Sequence, residues 1–294
     1  MWRGADSAML ELMSELTWQR VPALRRPVVV LAFDGWFDAG ESATGAVEWL
    51  RDRTAADELA RIDAEEHFDF QQQRPEVRLD ERGIREICWP DTTAHAAPLP
   101  SAGHDLVLVS GVEPHLGWRS FVEHLLEIVE LTGAELVVTL GAMAAGVPHT
   151  RPPQVSGSSS DAALAEPLGL ARPTYEGPTG VVGVLHGELD ARRVPAISLR
   201  VSVPHYLGGS PNPRCSRALL EHLERVTGLD TGFAELDDEV AEWLGRVEAS
   251  GEVDDDARNY VAGLEEEFDR AVDEMASSID LADELERFLR DRND

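Results

Sequence analysis

Val28-Val29-Val30-Leu31-Ala32-Phe33 is an unbroken apolar run that opens with three β-branched residues. It lacks the alternation of a strand with one wet face, so it fits a strand covered on both faces. Asp34-Gly35-Trp36-Phe37 breaks it. Asp38 and Glu41 then have the D-x-x-E spacing of a capping box, and Ala43, Ala46, Val47 and Leu50 follow at helical spacing. The unit reads strand, tight turn, helix.

The same order recurs. Leu106–Val109 predicts a strand, Ser110–Gly117 a loop, and Trp118–Thr132 a helix whose apolar stripe is Trp118, Phe121, Val122, Leu125 and Val129, stopped by Gly133. Leu136–Leu140, Val181–Leu185 and Ala196–Val201 predict further buried strands. Arg61–Glu65 and Ile84–Cys88 predict additional strands at an edge, and Arg214–Val226 a helix. Strands alternating with helices predict an α/β fold, with a mostly parallel central sheet flanked by helices.

After Phe233 the pattern changes to helix alone. Leu236, Val240, Trp243, Leu244 and Val247 form one stripe. Tyr260, Val261, Leu264, Phe268, Ala271 and Met275 form a second, and Leu281, Leu285, Phe288 and Leu289 a third, with the turn at Gly251 and Asp254–Asp256. The chain divides on this reading into a polar lead-in over residues 1–26, carrying a short helix near Met9–Leu16, an α/β domain over 27–232, and an acidic helical appendage over 233–294.

Charge narrows the function. The chain of 294 residues carries a net charge of −29, and residues 235–294 alone hold 22 acids against 6 arginines. Phosphate backbones and anionic membrane surfaces would be repelled, so neither nucleic acid nor membrane is an expected partner. Every base is Arg, which rules out a lysine Schiff base or a Walker-type lysine. Cys88 and Cys215 stand alone, outside any CxxC pattern, as free thiols in a reducing compartment would. No apolar stretch follows a basic start in residues 1–26, and the expected location is the cytoplasm.

The loops leaving the carboxyl ends of parallel strands are where sites form in open α/β sheets. Here they carry Asp34, Trp36 and Asp38, then Glu113, then His149, Thr150 and Arg151, and last His205 and Asn212. If the strands are parallel, these residues share one rim. An acid, two histidines and an arginine can move a proton or grip an anion. Each also has a plainer reading. Asp38 is a helix cap, Glu113 caps the Trp118 helix, both histidines bond loop backbone, and Trp36 and Trp118 pack in the core. No complete nucleophile motif, dinucleotide loop or local metal-ligand spacing occurs, so no metal or cofactor is expected. Gly141-Ala142-Met143-Ala144-Ala145-Gly146 has the glycine spacing of a phosphate loop without its Lys and Ser/Thr.

Taken together, Asp34-Gly35-Trp36-x-Asp38-Ala39-Gly40, Gly111-x-Glu113-Pro114, Pro148-His149-Thr150-Arg151-Pro152, Tyr175-Glu176-Gly177-Pro178-Thr179-Gly180 and Val203-Pro204-His205-Tyr206 with Pro211-Asn212-Pro213 form a specific combination. It resembles the actinobacterial branch of the proteasome assembly chaperone 2 family, from about Pro27 to Val226. The resemblance implies a phosphorylase/hydrolase-like α/β fold and a chaperone-like or adaptor role exerted through protein contacts, since eukaryotic members help assemble proteasome α-rings. It implies no catalytic residue. A homo-oligomer is expected, with three copies as the working number, and a protein client. The rival expectation is a small-molecule enzyme of phosphorylase or hydrolase type that uses His149, Arg151, His205 and Glu113.

Overall fold

A computed structural model describes residues 15–19, 22–80, 82–251 and 255–291, with 250, 251 and 275–291 described as backbone only. An eight-stranded sheet runs in the order β1 (Leu16–Trp18), β3 (Asp57–Ile62), β6 (Thr92–Ala97), β7 (Leu106–Val112), β2 (Val28–Asp34), β8 (Leu136–Ala145), β10 (Ala196–Pro204) and β9 (Val155–Ser158). The centre, β7-β2-β8-β10, is parallel throughout. β6, β3 and β1 extend it antiparallel on one side and β9 on the other. β4 (Glu76–Leu79) and β5 (Arg85–Cys88) make a separate two-stranded ribbon rather than an edge of the main sheet.

The apolar run of β2 is explained by what lies on each side. Val28, Val30 and Ala32 join α1 (Ser42–Thr54) and α5 (Pro213–Thr227) in one core, where Ala43, Ala46, Val47, Leu50, Leu219, Leu220 and Leu223 are buried. Val29, Leu31 and Phe33 point the other way, into a core shared with α2 (Trp118–Thr132) and α4 (Val181–Arg192) through Phe121, Leu125, Leu126, Leu185 and Leu189. Each buried Val, Leu or Ile contributes about 1.5–3 kcal/mol, so both faces must be apolar for the layers to hold. A short α3 (Ala162–Leu168) is capped by Asp161, whose carboxylate accepts from the Ala163 amide at 2.8 Å.

Three expectations need correction. Val181–Leu185 is helix, not strand. The strand expected at Arg61–Glu65 lies earlier, at Asp57–Ile62. Leu16, placed at the end of a short helix, sits in β1, Glu15 before it is not helical, and residues 9–14 of that helix fall outside the described residues. Three expected strands also run on toward their carboxyl ends. β7 continues to Val112, β8 to Ala145 and β10 to Pro204. Gly141 to Ala145 is therefore strand rather than phosphate loop. Gly141 is small because the Phe37 ring lies over it, and a Cβ there would meet that ring at 2.3 Å.

The acidic segment is helical as expected, in α6 (Asp237–Gly251) and α7 (Asp255–Asp291). α7 is one continuous helix, so the second and third stripes belong to a single element, ~55 Å long at 1.5 Å per residue. The side chains of the third stripe lie outside the described ones. Leu236, Trp243 and Leu264 are buried. Among the described residues no helix is long and apolar enough to cross a membrane.

Candidate functional site on the rim of the parallel strands

Parallel pairing of β2, β7, β8 and β10 brings the expected loops to one edge of the sheet. The rim residues arrive there and then meet three different fates.

Asp38 and Asn212 are buried and serve the backbone. The Asp38 carboxylate accepts from the Ala43 amide at 2.6 Å and the Thr44 amide at 3.3 Å, and the Thr44 hydroxyl donates to it as well. It thus caps α1, but not through the expected box. A 3-10 turn over Ala39–Glu41 intervenes, Glu41 sits at φ 46, and the helix starts at Ser42. Burial pushes the Asp38 pKa up to about 6 against the pull of Thr44 and the two amides. Asn212 accepts from the Cys215 amide at 3.1 Å to cap α5, and its own amide donates to the Gly40 carbonyl at 2.8 Å. The two caps are thereby tied together.

His149, Thr150, Arg151 and His205 lie along the acidic helices, with His149 and Arg151 half-buried and Thr150 and His205 still exposed. The His149 amide donates to the Tyr206 hydroxyl at 2.9 Å, and its Nδ1 lies 2.8 Å from the same oxygen. Burial, with Arg214 nearby, lowers the His149 pKa. Arg151 grips Asp269 of α7 with two bonds of 2.8 and 2.7 Å and lies 3.4 Å from Glu265, to which Thr150 also donates. Both nitrogens of His205 are engaged, Nδ1 with the Ala145 carbonyl at 3.1 Å and Nε2 with the Tyr260 hydroxyl at 3.2 Å. Trp243 of α6 and Phe268 of α7 close over Pro148, His149 and Arg151, leaving a space of about 10 Å³. That volume holds about one water at most.

Asp34, Trp36 and Glu113 line an open cleft of about 780 Å³ with Phe68, Phe70 and Trp118. Trp36 is 82% exposed, which corrects its assignment to the core. Trp118, half-buried, donates from Nε1 to the Pro114 carbonyl at 2.7 Å. Glu113 does not cap the Trp118 helix. It accepts from the Val181 amide at 3.1 Å, at the N-terminus of α4. The glycines of two motifs make room for that reach. A Cβ on Gly180 would lie 2.5 Å from Glu113 Oε1, and one on Gly35 would lie 3.0 Å from the Glu113 Cβ.

Sequence reasoning placed Trp243, Tyr260 and Phe268 in apolar stripes and Tyr206 in a loop motif, but did not show that they meet the rim. It also missed a trio away from the rim. Glu15, His67 and His124 bring three ligand atoms within 4.8 Å of one another. No local spacing signals the trio, since Glu15 and His124 are 109 residues apart.

The sequence and the fold as a whole have counterparts elsewhere. The PAC2 family profile matches residues 32–250. A PAC2 family protein from Streptomyces avermitilis is 42% identical, with a TM-score of 0.74 over 80% of this chain and 99% of that one. A proteasome-assembly chaperone homologue from Mycobacterium tuberculosis is 37% identical, with a TM-score of 0.72 over 80% and 99% of the two chains. An archaeal proteasome activator from Pyrococcus furiosus shares the fold at 19% identity, with a TM-score of 0.62 over 79% and 98%. No curated protein matches the sequence. The profile covers most of the chain, and two solved relatives are well over a third identical along almost their full length, so this chain belongs to the PAC2 family.

Proposed function

We propose that this protein is a chaperone-like or adaptor protein of the proteasome assembly chaperone type, working in the cytoplasm through protein contacts, and that the Trp36 cleft receives its client. The observation that carries this reading is Trp36 itself, 82% exposed at the mouth of a large cleft that also holds Asp34 and Glu113. An exposed indole beside acids and further aromatics favours an extended segment bearing a basic residue flanked by apolar ones. The chaperone-homologue relative supports it. The enzyme reading has less support, because both His205 nitrogens are engaged and the His149–Arg151 space is nearly closed. In this reading residues 27–232 are the client-binding domain and 233–294 an appendage that seals the other half of the rim.

The protein is further read as a homo-oligomer that pairs through the β4–β5 ribbon. A two-stranded ribbon is marginal alone in water. Val77 pairs with Ile87, and Leu79 shares their face. These three side chains are 58%, 50% and 68% exposed. A second copy laid on that face would bury them, and copy number is open to light scattering. Ile87→Asp should lower the measured mass. An unchanged mass rules the ribbon out.

A peptide panel tests the client site. Segments with Arg or Lys beside an aromatic residue should bind, more weakly as salt rises, and Trp36→Ala should abolish binding while leaving the melting curve in place. The reading fails if the wild-type protein binds no such peptide, or if the protein with Trp36→Ala binds them equally.

A further inference from the structure

His67 stands out among the buried polar groups. It is fully buried, and neither ring nitrogen makes a well-formed hydrogen bond, the Leu116 backbone being near enough only to act on the ring electrostatically. Leaving such a group unsatisfied costs a few kcal/mol. The ring is held firmly by an edge contact to Phe121 at 5.2 Å and by Gly117, where a Cβ would lie 3.0 Å from Nδ1. Nε2 faces Glu15 Oε2 at 3.6 Å, and His124 Nε2 lies 2.8 Å from the same oxygen.

We propose that Glu15, His67 and His124 form a binding site for a divalent transition-metal ion of the zinc type. Two donors at 2.0–2.1 Å from a tetrahedral zinc are roughly 3.3 Å apart. The 2.8 and 3.6 Å separations bracket that value and all three ligand atoms lie within 4.8 Å of one another, so side-chain adjustment would complete the geometry. Two imidazoles and one carboxylate suit zinc, cobalt or nickel rather than magnesium or calcium, which prefer oxygen alone. Three protein ligands leave a fourth position for water. Glu15 and His124 are partly exposed, at 37% and 20% of their side chains, so an ion has a way in.

The ion would join three distant parts of the chain. Glu15 precedes β1, and its carbonyl already accepts from the Asp63 amide at 2.7 Å. His67 lies in the turn after β3, and His124 on α2. The His67 carbonyl accepts from the amides of His115 and Leu116, at 2.9 and 3.0 Å. Those two residues line the Trp36 cleft, so metal binding would stiffen the cleft floor as well as pin β1.

Chelator-stripped protein titrated with Zn²⁺ by calorimetry, and with Co²⁺ by visible absorption, tests the site in the presence of excess Mg²⁺. Magnesium occupies the loose acidic surface of a protein at net −29 without competing for imidazoles. The expected result is one tightly held ion per chain, the intense absorption of tetrahedral cobalt, and a raised melting temperature. Glu15→Gln and His124→Gln, both at partly exposed positions, should each weaken uptake by at least about tenfold and remove the thermal shift. Folding of both variants is checked by circular dichroism. Absence of saturable uptake in the wild-type protein overturns the proposal, as does equal uptake by the wild-type protein and both variants.

Discussion

The two halves of the rim began as similar sequence and ended as different surfaces. On one side Asp34, Trp36 and Glu113 border an open cleft of about 780 Å³. On the other, His149 and Arg151 lie under Trp243 of α6 and Phe268 of α7, with about 10 Å³ left between them, while Thr150 and His205 bond to α7 at its margin. Both sets are polar loops at the carboxyl ends of parallel strands. The difference is what covers them, and that cover comes from far along the chain, Arg151 meeting Asp269 118 positions on and His205 meeting Tyr260 55 positions on. Loop polarity thus locates a rim, whereas availability depends on the rest of the chain.

The largest effect expected from this contrast is a pair of tryptophan substitutions. Trp243 is 5% exposed and closes the covered half. Trp243→Ala should cost about 3–5 kcal/mol, as truncation of a buried aromatic usually does. Trp36→Ala should change stability by less than about 0.5 kcal/mol, because nothing packs on an exposed ring. Denaturant midpoints measure both. If the two substitutions cost the same, the division into a covered half and an open half is wrong.

The parallel centre was legible because its strands are continuous apolar runs. β2 needed no other information, and the stripe of Trp118–Thr132 gave its helix with both ends correct. Val181–Leu185 misled for a physical reason. Val-Val-Gly-Val-Leu has the β-branched content of a strand, and Gly180 brings no capping side chain. The missing acceptor is Glu113, 68 residues earlier, and such a tertiary contact overrides local preference. β6 escaped notice because Thr92-Thr93-Ala94-His95-Ala96-Ala97 has no large apolar residue. Its inward positions, Thr92, Ala94 and Ala96, are nonetheless buried. For the site, position on the rim could be read from the sequence. The burial of Asp38, the exposure of Trp36 and the Glu15–His67–His124 trio could not, since each depends on groups distant in the chain.

Asp38 sharpens the contrast between structural and functional acids on one rim. Asp38→Ala removes the acceptor for two amides of α1 and should cost about 1–2 kcal/mol. Asp38→Asn keeps an acceptor without the charge. The folded pKa, about 6, lies above the ordinary 3.8. Between these values the native state binds the extra proton, so this group's contribution to stability falls as pH rises from about 4 to 6. Asp38→Asn should flatten that decline and leave the protein at least as stable at pH 7. Denaturation midpoints across pH 4–7 check it, and an unchanged slope in the Asn variant would mean that Asp38 is already ionised throughout.

The smallest effect concerns what holds the cover down. Arg151 pairs with Asp269 and Glu265, and the charged groups remain partly exposed. Exposed pairs of this kind contribute about 0.2–1 kcal/mol and weaken as salt screens them. Buried apolar groups face the same loop. Leu264 lies 3.8 Å from the Cβ position of Gly146, and Trp243 sits over Pro148. Apolar burial should therefore dominate the attachment, with the ion pairs setting the register in which α7 lies along it. A double-mutant cycle of Arg151→Gln and Asp269→Asn should give a coupling below about 1 kcal/mol that shrinks further in high salt. The tail should stay docked in both single variants, as read by protection of the α7 amides from hydrogen exchange. A coupling well above that range, or loss of protection in Arg151→Gln alone, would make the cover an electrostatic latch. The covered half of the rim would then open with ionic strength, and the two halves would differ in degree only.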